Sequence, residues 1–141
     1  MAGSILDFPA SRLSRQNSKL HAAARNAVTR ALAESATVAD AASRVLSILC
    51  RHYSFEIGAF WEADQVGPLL RLRGLHRSGP ALTPLLEDKC EQWTFAKGAD
   101  IPGQVWATGE ATFIPDVTRD PAFKRQGLAL AEGLSSLYAF P

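Results

Sequence analysis

The chain has 141 residues, of which 47% are hydrophobic and 21% are charged, and its formal net charge is +1. This balance is that of an ordinary globular protein, which argues against a disordered chain, and one domain is the natural expectation at this length. With a net charge so near zero, the chain as a whole has no strong electrostatic attraction for nucleic acid or for a membrane surface. No apolar run reaches the ~18 residues needed to span a bilayer.

The first 33 residues are predicted to form a leader followed by a basic helix. Pro9 interrupts the leader, whereas residues 13 to 33 are rich in Ala, Arg and Leu and contain neither Gly nor Pro. The narrow apolar stripe of this helix favours close packing against another helix, and its members are Leu13, Leu20, Ala24, Ala27, Val28 and Ala31. The first thirty residues are basic and contain several serines, so they also resemble an organelle transit peptide. We favour the alternative, in which a leader is followed by a helix with one basic face.

A second helix and a β-hairpin are predicted next. Thr37 is the expected N-cap, with Asp40 three residues later in the manner of a capping box, and apolar residues at helical spacing extend the helix over residues 38 to 52. The segment "FEIGAFWEAD" is rich in strand-favouring residues, and "LLRLRGLH" alternates apolar and charged positions. Together they predict an antiparallel hairpin with a loop from Asp64 to Pro68.

Turn and cap signals dominate the second half of the chain. The Thr83-Pro84 pair predicts the start of a short helix whose apolar side carries Leu82, Leu85, Leu86, Cys90 and Trp93. Pro102 is expected at the first position of the next helix, and Gly109 is expected to end it. Between them, Gly103 allows another backbone or a ligand to approach closely, while Val105 and Trp106 face inward.

The final segment is predicted to form a strand, a helix and another strand. "ATFI" forms a short strand that Pro115 ends, and Asp116 caps the turn after it. Asp120-Pro121 has the pattern of an N-cap and first turn, so we expect a helix from about residue 121 to 131 that ends at Gly133. "SSLYAF" then forms the last strand.

The order of these signals resembles the GAF domain family. The resemblance is carried by "FEIGAFWEAD" after a helix, by "KGADIPGQVWATGEATFIPDVTRDPAF" and by "AEGLSSLYAFP". It extends from about residue 34 to the end of the chain, and it is specific because several spaced segments agree in order. It implies an α+β fold, with a central antiparallel sheet as in PAS-like domains, flanking helices and a ligand-sized pocket. The predicted mixture of helices and hairpin strands agrees with this fold class.

The resemblance also implies a domain organisation. Residues 1–33 are expected to contain the leader and a signalling and dimerisation helix, and residues 34–141 are expected to be the GAF domain. A GAF domain normally continues with two more strands and a closing helix. We therefore expect the chain to be a fragment of a longer product, with completion of the sheet by another chain as the alternative.

Catalytic and metal-binding patterns are weak in this sequence. The spacing of Gly98, Gly103 and Gly109 matches neither a dinucleotide fingerprint nor a P-loop, so cap and turn roles are preferred. Cys50 and His52 are two residues apart, whereas ligands on one helix face are three or four apart. No Gly-x-Ser-x-Gly elbow and no suggestive pair of carboxylates occurs. We therefore predict no catalytic residue, no metal site and no nucleic-acid or membrane partner, and the sequence identifies no cofactor.

Three specialised GAF functions are disfavoured by particular residues. Bilin-binding relatives attach their chromophore through a cysteine that commonly has a histidine beside it, whereas Cys90 is followed by Glu91. GAF-type methionine sulfoxide reductases rely on a set of cysteines that Cys50 and Cys90 cannot match, and two widely separated cysteines are typical of a reducing cytoplasm. The cyclic-nucleotide signature Asn-Lys…Phe-x-x-x-Asp-Glu is absent from the sequence.

The aromatic residues near the GAF-like motifs are the candidate pocket lining. By analogy of motif position, five residues are expected to border a small-molecule pocket, namely Phe60, Trp93, Ile101, Trp106 and Phe113. We predict a non-catalytic, cytoplasmic sensor from a bacterial signalling protein of the histidine kinase or diguanylate cyclase type, which forms a homodimer through its N-terminal helix. The alternatives are a structural dimerisation domain without a ligand, a sulfoxide reductase and a bilin photosensor.

Overall fold

The computed structural model describes residues 16–78 and 92–141, with side chains from residue 21 onward in the first helix. The elements follow the order α1 (Gln16–Glu34), α2 (Val38–Tyr53), β1 (Ile57–Ala63), β2 (Leu69–Arg77), β3 (Thr94–Ala96), α3 (Asp100–Thr108), β4 (Thr112–Ile114), α4 (Gln126–Ala131) and β5 (Leu137–Ala139). The predicted leader and the predicted short helix after Thr83-Pro84 lie outside the described residues, except for Trp93 at the end of that helix.

The two N-terminal helices pack against each other. Ala24 and Ala31 of α1 are 2% and 6% exposed, and the His21 Nδ1 atom lies 2.7 Å from the Tyr53 hydroxyl of α2. The predicted small-residue stripe of α1 therefore packs within the chain, so contact with a second copy would need the opposite face. α2 begins as predicted, because the Thr37 hydroxyl accepts a hydrogen bond of 3.1 Å from the Asp40 amide.

The hairpin predicted from the alternating segments is present, with its loop at residues 64–68. β1 pairs with β2, and β2 pairs with β3, both antiparallel. A β-bulge interrupts the first pairing, since Phe60 lies opposite Gly74 but Trp61 lies opposite Leu72, which leaves Arg73 as the additional residue. Gly74 consequently lies under α2, whereas Trp61 and Leu72 both lie on the other face of the sheet.

The second sheet contains β4 and β5, which are also antiparallel. The α+β class with antiparallel strands is thus confirmed. Among the described strands, none pairs with both β1 and β5, so the predicted central sheet is present as one three-stranded and one two-stranded sheet. Within the described residues, no helix is both long and apolar enough to cross a membrane.

Helix α3 lies unusually close to β3. A methyl group on Gly103 would come 2.2 Å from the Ala96 carbonyl oxygen, so the close approach predicted at this glycine is to backbone. The helix begins at Asp100, and Pro102 is its third residue instead of its first; the missing N–H of proline is harmless throughout the first turn. Gly109 ends the helix with φ of 70°, as predicted.

The segment after β4 differs from its predicted helix. Asp120 does accept a hydrogen bond from the Ala122 amide, but the residues that follow form turns, and α4 begins only at Gln126. The Asp120 carbonyl oxygen accepts from the Phe123 amide and from the Gln126 side chain, so it is unavailable to an α-helix starting there. These turns direct Phe123, which is 7% exposed, into the core.

Cys50 lies where α2 touches β1, and we predict that it is chemically inert. It is fully buried, and burial raises the pKa of its thiol from 9.0 to about 11, with a hydrogen bond from Ser78 acting weakly in the opposite direction. A rise of two units makes the thiolate fraction about a hundredfold smaller at pH 8. In a Cys90→Ser variant, a disulfide reagent should therefore label the native protein very slowly and the urea-unfolded protein at the rate of a free thiol.

The same thiol gives a pH dependence of stability. Below pH 9.0 both the folded and the unfolded thiol keep their proton, so the contribution of Cys50 is constant. Between pH 9.0 and about 11 the unfolded thiol ionises while the folded one does not, so the free energy of unfolding should fall with rising pH. A Cys50→Ala variant should lose this part of the alkaline decline; an unchanged decline, or rapid native labelling, would show that Cys50 is accessible.

Candidate functional site

A small, partly open cavity lies between the first sheet and the segment that follows β4. Its volume is about 70 Å³. The sheet side is formed by Ala59, Trp61, Leu75 and Trp93, and the opposite side by Val117, Phe123, Arg125, Leu128, Leu134 and Leu137. Drug-sized ligands occupy roughly 300–1,000 Å³, so this cavity suits only a small molecule or a few waters.

Among the described residues that line the cavity, Arg125 is the one cation, and aromatic rings surround it. Its guanidinium carbon lies 4.5 Å from the ring centre of Trp93, 4.9 Å from that of Phe95 and 5.0 Å from that of Phe123. Its side chain is 13% exposed, and its Nη1 atom lies 3.5 Å from Asp100 Oδ2. Stacking on three rings fixes the guanidinium plane, and the ion pair joins the start of α3 to the start of α4.

Asp100 holds an uncommon backbone conformation at this point. Its φ is +52°, in the left-handed region that aspartate tolerates better than most residues. Its side chain is 10% exposed, and Oδ1 accepts a hydrogen bond of 2.7 Å from the Ile101 amide at the start of α3. Residues in such conformations concentrate at functional sites, because the surrounding structure must stabilise them.

Trp61 presents an unsatisfied polar atom. The residue is 1% exposed and its ring meets Phe95 edge-on, with 4.8 Å between ring centres. The indole Nε1 is buried and has no hydrogen-bond partner among residues 16–78 and 92–141. A buried indole N–H usually finds an acceptor, and leaving one unpaired costs about 1–3 kcal/mol. Trp61, which also lines the cavity, therefore contains a buried and unpaired donor.

A second, wider groove lies on the helix side of the molecule. Its volume is about 600 Å³, and its lining is aromatic and aliphatic: His21, Leu49, Tyr53, Phe55, Phe113, Tyr138 and Phe140. It is more open than the cavity, and two of its members, Phe113 and Tyr138, are 47% and 37% exposed. Its described lining contains no lysine, arginine or acidic side chain, so it offers mainly a surface for apolar contact.

The five residues predicted from the sequence are distributed over several places. Trp93 lines the cavity, and Phe113 lines the groove on the other side of the molecule. Ile101 is 1% exposed in the core beside β4 and β5, and Trp106 packs half-buried against the first sheet with Lys97 5.6 Å above its ring. Phe60 lies opposite Gly74, on the face of the sheet that α2 covers. Whether any of the five contacts a ligand stays a prediction.

Trp61 and Arg125, which both line the cavity, were not predicted from the sequence as site residues. Alternation along β1 could have found Trp61, because it places Phe60 and Trp61 on opposite faces. No sequence signal distinguishes Arg125 from its exposed neighbour Lys124, whose Nζ donates to the Pro121 carbonyl. Three or more side chains of the metal-binding types do not cluster anywhere in the described part of the chain. Cys90 lies outside that part.

Comparison with known proteins finds similar structures but no similar sequence among family models or curated proteins. The sequence matches no protein-family model and no curated protein. Among solved structures, the chain is similar to the GAF domain of A. aeolicus Nlh2 in an inactive state, with a TM-score of 0.62 and 20% identity over 89% of this chain and 80% of that one. It is also similar to the free methionine-R-sulfoxide reductase of Neisseria meningitidis in complex with its substrate, with a TM-score of 0.51 and 20% identity over 83% and 61% of the two chains.

Proposed function

We propose that this chain, which has the GAF fold, is a non-catalytic regulatory module that senses a small molecule in the cavity beside the first sheet. The observation that carries the proposal is the cavity itself, a mainly apolar space whose described lining includes the largely buried cation Arg125 and few other polar side chains. Ligand sites typically combine such an apolar lining with a few placed polar groups. A structural neighbour solved in an inactive state fits a module that switches.

Strand β1 offers a route from the cavity to the helices. Ala59 and Trp61 line the cavity from one face of β1, while a methyl group on Gly58 would lie 2.9 Å from Cys50 Sγ of α2 on the other face. A ligand that displaces β1 would therefore also displace α2, and α1 packs along α2. A ligand shifts such an equilibrium only if it binds the two states with different affinity.

The wider biological setting is part of the proposal. We propose a cytoplasmic module of a bacterial signal-transduction protein, of the histidine kinase or diguanylate cyclase type, that forms a homodimer through α1. Since Ala24 and Ala31 are buried within the chain, the dimer contact would use a different, exposed face of α1, such as the one that carries Leu32 at 55% exposure. This location agrees with the transmission route, because α1 would couple two chains directly.

An enzymatic role is the second candidate, since one structural neighbour is a sulfoxide reductase. Thiol chemistry needs an accessible thiolate. Cys50, the cysteine in the described residues, is fully buried and has a thiol pKa of about 11, so it is unsuited to that role. The sensor is therefore the function that the geometry supports best.

The sensor proposal is tested by ligand binding to the cavity. A panel of small neutral, cationic and anionic metabolites should contain members that raise the melting temperature and change the tryptophan fluorescence, because Trp61 and Trp93 line the cavity. Ala59→Val, which adds bulk at a 4% exposed cavity position, should abolish the response, whereas Ala111→Val at an exposed position should not. A folded protein that responds to no panel member, or equal responses in both variants, would contradict the proposal.

A further inference from the structure

We propose that the cavity beside the first sheet takes a small, uncharged and apolar molecule of about two to four non-hydrogen atoms, and that Leu75 limits the size of that molecule. The inference rests on the proposed function, because it names the chemical class of ligand for that same cavity. Three properties of the described lining lead to it: its volume, the engagement of its polar groups, and the pairing of Ala59 with Leu75.

The first property is the volume of the cavity. A water molecule takes about 30 Å³ in the liquid, so about 70 Å³ holds a few waters or one molecule of a few non-hydrogen atoms. Without an occupant, the side chains around such a space lack neighbours on one side and lose dispersion energy. A molecule of matching size restores those contacts, so its affinity comes from shape and not from charge.

The second property is that the polar groups of the described lining are engaged or inaccessible. The Arg125 side chain is 13% exposed, lies against three aromatic rings and approaches Asp100 to 3.5 Å. The Trp61 Nε1 atom has almost no accessible surface, so a molecule in the cavity has little contact with it. Ser136 is 8% exposed and has an interaction partner of its own, while Glu56 is exposed to solvent.

These polar groups therefore offer little to a water molecule or an ion in the cavity. A buried water needs about two to four polar partners, and a buried charge needs an opposite charge and hydrogen bonds. Most of the described lining is aliphatic or aromatic, as with Leu128, Leu134 and Leu137. Dry cavities with such linings bind apolar molecules such as xenon or benzene. The lining thus favours an uncharged apolar occupant.

The third property is the position of Leu75. It lies directly opposite Ala59 in the β1–β2 pairing, and both residues line the cavity. Ala59 contributes only a methyl group, whereas Leu75 places a branched side chain on the same face of the sheet. Truncation of Leu75 therefore enlarges the cavity from the sheet side without adding a polar atom.

The test of polarity compares isobutene, acetone, acetamide and acetate, which share one branched shape, on the whole 141-residue chain. Shifts of ¹³C-labelled leucine methyl signals in nuclear magnetic resonance measure binding, and the Leu75 signals are identified by their absence from the Leu75→Ala spectrum. Isobutene should move the Leu75 signals and bind at least about tenfold more tightly than acetamide, because burying an unpaired amide is costly. Acetate should produce no saturable shift.

Variants of Leu75 test the size limit. The unaltered protein should not bind benzene, whereas Leu75→Ala and the smaller truncation Leu75→Val should each bind it. Leu130→Ala, at a position that is 71% exposed, should exclude benzene as the unaltered protein does. Should Leu75→Ala fail to fold, Leu75→Val provides both the benzene measurement and the assignment of the Leu75 signals.

The outcomes separate this inference from the sensor proposal. Tighter binding of acetate or acetamide than of isobutene would overturn the apolar class. Tighter binding of acetone would do so too, since it would show that a donor of the wall reaches the ligand. Benzene binding by the unaltered protein, or its exclusion by a folded Leu75 variant, would overturn the size limit. Each of these results leaves the sensor in place.

Two further results concern isobutene itself. If isobutene does not bind, or leaves the Leu75 signals unmoved, while another compound of the metabolite panel raises the melting temperature, this inference fails alone. If neither isobutene nor any compound of the panel binds, both proposals fail.

Discussion

Replacing Gly103 by alanine should lower the free energy of unfolding by about 3 kcal/mol or more, or prevent folding altogether. The added Cβ would lie 2.2 Å from the Ala96 carbonyl oxygen and 3.3 Å from the Gly98 nitrogen, and backbone atoms cannot move aside as a flexible side chain does. α3 would have to move away from β3, and Ile101 and Val105, at 1% and 2% exposure, would move with it. Urea-induced unfolding followed by circular dichroism measures the loss.

A second glycine in a helix provides the control for that experiment. A methyl group on Gly127, in α4, would have open space around it, so Gly127→Ala should stabilise the protein by up to about 1 kcal/mol through helix propensity. Equal effects at the two positions would show that propensity, and not the contact with β3, determines the result. A Gly103→Ala protein as stable as the original would contradict the packing of α3 described above.

Leu46→Ala should also destabilise the protein strongly, by about 3 kcal/mol. Leu46 is 1% exposed and lies in the middle of α2. Its methyl groups lie so close to both strands of the hairpin that a Cβ added to Gly58 would be 3.1 Å from one of them, and a Cβ added to Gly74 would be 3.6 Å from the other. Those two glycines belong to neighbouring strands, so one leucine fills the space between α2 and both strands of the hairpin. Truncation leaves a cavity that backbone on two sides cannot close.

The matched control lies on the same helix. Val38→Ala changes a residue that is 59% exposed, and its effect should be within about 0.5 kcal/mol. Chemical unfolding of both variants at one temperature gives the comparison. If Leu46→Ala costs no more than Val38→Ala, then α2 is not held on the sheet through Leu46, and the proposed route from β1 to the helices loses one of its contacts.

Local signals in the sequence predicted the regular elements well. The Thr37 cap, the hairpin and the left-handed Gly109 were each predicted from residues within a few positions of one another, because caps, alternation and turns are local interactions. The helix expected from residue 121 was wrong over its first five residues, where a glutamine side chain and a core phenylalanine compete with the helix. The competing hydrogen bond is between residues six positions apart, so a capping pattern, which covers only three or four positions, does not reveal it.

The cavity was harder to predict than the fold, and the reason is physical. Aromatic residues near the GAF-like motif were expected around one pocket, but Ile101 fills the core, and Phe60 and Phe113 face other surfaces. Position in a motif fixes the backbone, whereas the choice of face depends on register and on bulges. Arg125 reaches the cavity only because turns before α4 redirect the chain, and those turns were themselves mispredicted.

The additional residue at Arg73 determines which side chains of β2 lie on each face of the sheet. Before Arg73, even-numbered positions of the strand, such as Leu72, lie on the face that carries Trp61; after it, odd-numbered positions such as Leu75 do. The alternation of side chains between the two faces of the sheet thus shifts by one residue at the bulge, which keeps Gly74 beneath α2 and Leu75 in the cavity wall. A strand of the same length that paired without the bulge would exchange the two, placing a leucine under the helix and a glycine in the cavity wall. The bulge at this point therefore determines which side chain of β2 forms part of the cavity wall.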